Sequence, residues 1–128
     1  MKNRFCFQCE QTAGGRGCTA SGVCGKKPDT AWEQDALTCE MIALAGLLQK
    51  SARMDRDAVD CIVDGLFMTV TNVSFDPERI ALLSSQVHEK WQRGGGQAAV
   101  TPEELFHGDE NLVSLRSTLL FGLRGMAA

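Results

Sequence analysis

Residues 30–48 read TAWEQDALTCEMIALAGLL, and this run has the apolar spacing of an amphipathic helix. Its apolar stripe recurs every three or four residues and consists of Leu37, Met41, Leu44 and Leu48. Thr30 and Glu33 have the spacing of a capping box, in which each side chain accepts a hydrogen bond from a free backbone N–H. The stretch therefore predicts a long helix that begins at Thr30.

Two further helices follow along the chain. The second is predicted after Asp55 and should end within residues 71–74. Its core-facing residues are Val59, Ile62, Val63, Leu66, Phe67 and Val70. The third is predicted to begin at Asp76-Pro77, an N-cap aspartate followed by a proline whose missing N–H costs nothing in the first turn. Its stripe consists of Ile80, Leu83, Val87 and Trp91, and residues 94–96, three glycines, should stop it.

The C-terminal third is also predicted to be helical. Thr101-Pro102 begins a short helical turn, and Asp109-Glu110 opens the last helix. The apolar stripe of that helix is predicted to be Leu112, Leu115, Leu119 and Leu123. Because no segment alternates apolar and polar residues convincingly, the sequence predicts an all-α bundle of three to four main helices over residues 29–128.

Residues 1–28 differ from the rest of the chain and should form an irregular cysteine-rich loop within the same domain. The loop contains five glycines and four cysteines, Cys6, Cys9, Cys18 and Cys24, in the pattern C-x2-C-x8-C-x5-C. Four thiolates match the ligand set of a [4Fe-4S] cluster. They match equally the ligand set of a structural zinc ion. Spacing leaves both open, although structural zinc commonly uses two C-x2-C pairs and this chain has one.

The remaining cysteines and histidines have simpler interpretations. Cys39 and Cys61 fall on predicted helices, where a free cysteine is most often a small buried apolar residue. His88 and His107 have no partner at ligand spacing and are expected to be structural or exposed. The acidic residues after Asp55 are expected to form a solvated helix face.

Residues beside the first cysteines have two interpretations each. Gln8, Glu10 and Gln11 either order hydrogen bonds around the ligands or are plain polar loop residues. Phe5 and Phe7 flank Cys6, where they either shield a cluster from water or belong to the core.

Composition and charge narrow the class of protein. The longest apolar runs of the 128 residues are far short of a membrane span. No apolar leader follows the basic N-terminus, so a cytoplasmic location is expected, where clustered cysteines bind metal more often than they form disulfides. The net charge is −3, yet the first 27 residues hold five basic side chains and one acidic. This segment lacks interleaved basic and aromatic residues, and no nucleic-acid partner is expected.

The sequence also resembles a known family, the hybrid cluster proteins, also called prismane proteins or hydroxylamine reductases. The resemblance is densest in residues 5–12 (FCFQCEQT), 17–18 (GC) and 22–26 (GVCGK). It continues in residues 69–76 (TVTNVSFD), 110–111 (EN) and 120–125 (LFGLRG), so it spans nearly the whole chain.

The resemblance implies a cofactor and a role. It implies that the four loop cysteines hold the [4Fe-4S] cluster of an N-terminal helical domain, with zinc as a possible substitute in aerobically expressed protein. The family's second centre, the hybrid cluster, takes histidine, glutamate and cysteine ligands from later domains. Those domains have no counterpart here, so the chain is expected to be an excised domain or a reduced relative.

The expected function is electron transfer. The cluster would accept an electron from a ferredoxin-like donor and pass it to a catalytic domain or subunit that bears the hybrid cluster, where hydroxylamine is reduced. No catalytic residue is predicted in this chain, because no base, nucleophile or open metal position is evident. The alternative is a structural or interaction module, in which zinc or an inert cluster pins the loop to the bundle.

Overall fold

The computed structural model describes residues 5–9, 14, 16–98 and 100–128, and every regular element in that part of the chain is a helix. The helices are α1 (Pro28–Lys50), α2 (Arg56–Met68), α3 (Pro77–Arg93), α4 (Pro102–Phe106) and α5 (Glu110–Ala127). The predicted all-α bundle with an irregular cysteine-rich N-terminus is confirmed. Within the described ranges, no helix is both long and apolar enough to cross a membrane.

Helix α1 is the centre of the bundle. It packs against α2, α3 and α4, whereas α5 packs against α2 and α4. The main core lies between α1, α2 and α3, and its buried side chains include Leu37, Met41, Leu44, Ile80, Leu83, Val87 and Trp91. A second apolar cluster joins α1 to α4 and α5 through Cys39, Leu105, Phe106 and Leu120. The predicted stripe of α3 is thus buried in full.

The predicted start of α1 is wrong by two residues. The helix begins at Pro28, its N-cap is Lys27, and no side chain caps it. Proline at the first position supplies a pre-set φ and needs no hydrogen bond, so the helix begins there. Thr30 is instead buried inside the first turn, and its hydroxyl donates to the backbone carbonyl of Phe75 at 3.3 Å.

The other predicted helix starts are confirmed. The side chain of each N-cap residue accepts a hydrogen bond from a backbone N–H in the first turn of its helix. These N-cap residues are Asp55, Asp76, Thr101 and Asp109. Thr101 and Glu104 form a reciprocal capping box. Helix α3 ends at Arg93, immediately before the three glycines.

Helix α2 is shorter than predicted and is rotated relative to the expected stripe. It ends at Met68, and Val63 and Phe67 are exposed. Its buried positions are the small residues Ala58 and Gly65. A β-carbon at Gly65 would overlap the sulfur of Met41, so the absence of a side chain there lets α2 approach α1 closely.

The predicted apolar stripe of α5 is wrong. Its four leucines are exposed, Leu112 by 46%, Leu115 by 68%, Leu119 by 64% and Leu123 by 37%. The buried residues of α5 are Leu120 and Arg124. Leu120 packs in the second apolar cluster, and the guanidinium of Arg124 finds hydrogen-bond acceptors in the interior. Since a buried guanidinium is costly without such partners, these contacts favour the observed rotation of α5.

Candidate metal centre

Backbone contacts bring the first and third cysteines together. The N–H of Cys6 donates to the carbonyl of Cys18 at 2.9 Å. Gly17 precedes Cys18 with a φ of +86°, and a β-carbon there would overlap the ring of Phe5. The close approach of these two segments of the loop therefore depends on glycine at position 17.

A tight turn carries the fourth cysteine. The N–H of Gly22 donates to the carbonyl of Lys26 at 2.7 Å, and the N–H of Gly25 donates to the carbonyl of Gly22 at 2.9 Å. A β-carbon on Gly22 would lie 2.9 Å from the sulfur of Cys24. Glycine at position 22 thus leaves room for the sulfur of Cys24.

All four cysteines of the loop line one cavity of about 420 Å³. The remaining lining residues are Gln8, Gly22, Val23, Lys26, Thr71 and Asn72. Cys18 is buried and Cys24 is exposed, so the cavity opens to solvent near Cys24. No three His, Cys, Asp or Glu side chains among the described residues are placed as ligands of a single ion.

Gln8 connects the cysteine loop to the helices. Its side-chain N–H donates to the carboxylate of Asp35 on α1 at 2.6 Å, and its backbone carbonyl accepts from the hydroxyl of Thr71 at 2.9 Å. The side-chain oxygen of Gln8 is buried and has no hydrogen-bond partner. A buried unsatisfied amide oxygen costs free energy, and it lies in a residue that lines the cavity.

Lys26 is a buried cation at the same cavity, only 3% exposed. Its ammonium donates to the side-chain oxygen of Gln34 at 2.6 Å. The amide N–H of Gln34 in turn donates to the carbonyls of Met68, at 2.9 Å, and Ser74, at 3.3 Å. The position of the ammonium is therefore fixed by α1 and by the connection between α2 and α3.

A second buried cation, Arg124, reaches the region from α5. Its Nε donates to the hydroxyl of Thr69 at 3.0 Å, and its Nη2 donates to the hydroxyl of Thr38 at 3.4 Å. Burial lowers the pKa of Arg124, and the negative charges of Asp35 and Cys6 oppose that shift. Sequence reasoning missed this residue, although an arginine directly after the apolar residues 119–123 is a recognisable signal.

The thiol of Cys6 responds to the same surroundings. Burial raises the pKa of Cys6, and the backbone N–H of Gln8 and the charge of Lys26 oppose this shift. Asp35 and Cys9 raise the pKa further.

The other residues considered in the sequence analysis make packing or surface contacts. Phe7 stacks on Phe106 at a centroid distance of 4.5 Å and meets the edge of His107 at 5.5 Å, whereas Phe5 is partly exposed. His88 contacts Glu40 at 3.1 Å. Cys39 is buried in the second apolar cluster, and Cys61 packs against the main core. Glu10 and Gln11 lie outside the described residues.

Comparison with known proteins decides the family. The model of the Prismane/CO dehydrogenase family matches residues 4–127. The chain belongs to the Prismane/CO dehydrogenase family. Its resemblance to the hybrid cluster proteins is thereby confirmed.

Relatives of this family member are named hydroxylamine reductase. The protein from Methanocella arvoryzae is 35% identical, with 97% of this chain matching 29% of the relative. The protein from Syntrophobacter fumaroxidans is 36% identical with the same coverage of both chains. The protein from Parabacteroides distasonis is 44% identical over 69% of this chain and 16% of its own length. The chain spans less than a third of the length of these curated relatives.

Proposed function

We propose that this chain is an electron-transfer domain that binds a [4Fe-4S] cluster through Cys6, Cys9, Cys18 and Cys24. The observation that carries the proposal is that all four cysteines line one cavity. The chain also belongs to a family whose members include proteins named hydroxylamine reductase. A ligand set of four thiolates is what a cubane cluster requires.

The residues around the cavity support a cluster over a single ion. A tetrahedral zinc ion needs four sulfurs about 2.3 Å from one point, whereas a cubane separates its ligands by the width of the cluster. The cavity of about 420 Å³ has room for the larger group. The unpaired side-chain oxygen of Gln8 and the ammonium of Lys26 add polar groups beside the cysteines. Zinc remains a substitute that the same thiolates would accept.

When bound, such a cluster supplies one-electron transfer. The protein's part is to hold and shield it. The four cysteines would occupy every ligand position of a cubane, which leaves none for a substrate. The loop is held to the helical part of the chain by the hydrogen bonds of Gln8, Thr71 and Gln34. Phe7 packs the loop against α4 by stacking on Phe106.

Electrons would enter at the solvent edge of the site. Cys24 is exposed there, and the first 27 residues of the sequence hold five basic side chains against one acidic. An acidic, ferredoxin-like donor protein is therefore the expected partner, because opposite charges speed encounter.

Electrons would leave toward a catalytic centre on another domain or subunit. The relatives named hydroxylamine reductase are more than three times longer than this chain. Such a partner would also cover the exposed leucines of α5, since a stripe of this kind is typical of an interaction surface. The reaction served would be the reduction of hydroxylamine or a related nitrogen compound.

A second candidate is a structural module without redox turnover. The observation that favours it is that the loop is already fixed to the bundle by the contacts of Gln8 with Asp35 and Thr71. Zinc or an inert cluster would then complete that attachment.

Anaerobic purification with iron, sulfide and zinc quantified separates the two candidates. We expect about four iron and four sulfide per chain, together with an EPR signal after reduction by dithionite. Stoichiometric zinc without inorganic sulfide would refute the electron-transfer proposal.

A further inference from the structure

We propose that Lys26 raises the reduction potential of the centre by placing a fixed positive charge beside its thiolates. The inference rests on the proposed function, because it concerns the cluster held by the same four cysteines. It assigns Lys26 the role of a positioning residue that acts through charge, not that of a ligand or a catalytic residue.

The burial of Lys26 is the first observation behind this proposal. Lysine is almost never fully buried unless its charge is compensated. Lys26 is 3% exposed and lines the cavity of the four cysteines. It also lines a smaller recess on the side of Cys6 and Cys18. The cysteine thiolates are thus the negative charges that this ammonium is placed to meet.

The support of the ammonium is the second observation. The hydrogen-bond acceptor that holds it is the neutral amide oxygen of Gln34, which does not cancel its charge. Gln34 is itself fully buried and is held by the carbonyls of Met68 and Ser74. The chain therefore uses three separate segments to fix one charge beside the cysteines.

The balance of buried charges gives the direction of the effect. The buried charged side chains among the described residues are Lys26, Asp35 and Arg124, two cations and one anion. A [4Fe-4S]2+ core on four thiolates has a charge of about −2, and one electron from a reductant takes it to about −3. A nearby cation stabilises the more negative state more strongly, and a nearby anion destabilises it. Loss of Lys26 should lower the potential, and loss of Asp35 should raise it.

The test is a redox titration of the full chain, loaded anaerobically and monitored by EPR with small mediators. At the midpoint potential of the unsubstituted protein, we expect Lys26→Met to lower the ratio of reduced to oxidised cluster at least tenfold. A tenfold change in this ratio corresponds to about 59 mV for a one-electron couple. Lys27→Met is the matched control, because Lys27 is the exposed neighbour and the change in net charge is the same. It should change the ratio less than twofold.

Asp35→Asn provides the reverse test and keeps the proposal falsifiable if Lys26→Met fails to load. This variant removes a buried negative charge at nearly constant shape, so the ratio should rise. A ratio that is unchanged or falls in Asp35→Asn would overturn the proposal. Equal shifts in Lys26→Met and Lys27→Met would also overturn it, since net charge alone would then explain them.

Failure of the proposed function has a different signature. Unsubstituted protein that holds zinc and no sulfide would overturn the electron-transfer function and this inference together. Unsubstituted protein with a normal cluster, whose potential does not respond to Lys26→Met, would overturn the inference alone.

Discussion

The side-chain amide of Gln8 donates a 2.6 Å hydrogen bond to the carboxylate of Asp35, and both residues are fully buried. This contact joins the cysteine loop to the first half of α1. Its donor lies between two of the proposed ligands, Cys6 and Cys9. Together with the hydrogen bonds from Thr71 to the Gln8 carbonyl and from Lys26 to Gln34, this contact links the loop of the proposed ligands to the helical bundle.

Gln8→Leu should destabilise the protein by about 1–3 kcal/mol, because it removes a donor from a buried carboxylate. The free energy of unfolding from chemical denaturation measures the loss. Gln49→Leu, at an exposed position near the end of α1, is the control and should cost less than about 0.5 kcal/mol. Equal stability of Gln8→Leu and unsubstituted protein would show that the contact is energetically unimportant.

Serine substitution should separate the four loop cysteines from the other two. Serine is a poor replacement for a soft thiolate ligand, so each of Cys6→Ser, Cys9→Ser, Cys18→Ser and Cys24→Ser should lose most of the cluster. Cys39→Ser and Cys61→Ser should keep it, because these residues pack in the two apolar clusters. Iron and sulfide per chain measure the difference. Cluster loss in Cys39→Ser equal to that in Cys6→Ser would mean that the ligand set is wrong.

Gly22→Ala should shorten the lifetime of the bound cluster. The added β-carbon would lie 2.9 Å from the sulfur of Cys24 and would force it to move. Gly46→Ala is the matched control, since a β-carbon there meets no atom within 4 Å and lies inside α1. That control should stabilise the fold by about 0.5–1 kcal/mol. The rate at which the visible absorbance decays in air would distinguish them, and equal rates would contradict the prediction.

The loaded chain should not reduce hydroxylamine on its own. Four cysteines on a cubane leave no iron position open for a substrate. Hydroxylamine-dependent oxidation of a reduced viologen measures turnover, with protein lacking the cluster as the control. Turnover that rises in proportion to cluster content would contradict the assignment as an electron relay.

Reduction of the cluster by an acidic donor protein should slow as salt is added. The basic N-terminal segment would attract such a donor, and at about 0.5 M salt the Debye length is only a few ångströms. Stopped-flow reduction across a salt series measures the rate, and a small uncharged reductant serves as the control. A rate that does not depend on salt would remove the case for electrostatic docking.

Local sequence signals determined much of this fold. The starts of α2, α3, α4 and α5 were predicted correctly, because a helix start depends on residues within one turn of each other. The stripe of α3 was predicted correctly because most of its apolar residues fall on one face and, apart from the exposed Leu82, its other faces carry mainly polar or small residues. Helix α1 shows the limit of this approach, since the capping-box spacing of Thr30 and Glu33 predicted a start two residues after Pro28, where the helix begins.

The sequence by itself determined the all-helical class, most helix starts and the four cysteines that line one cavity. Tertiary structure alone decided which face of α5 is buried, since apolar residues occur on several sides of that helix. Only the packed fold shows that Arg124 meets Thr69 and that Lys26 meets Gln34, residues far apart or on different elements. From sequence alone a charged side chain is predicted to be exposed. Its burial depends on hydrogen-bond acceptors that distant segments of the chain place next to it.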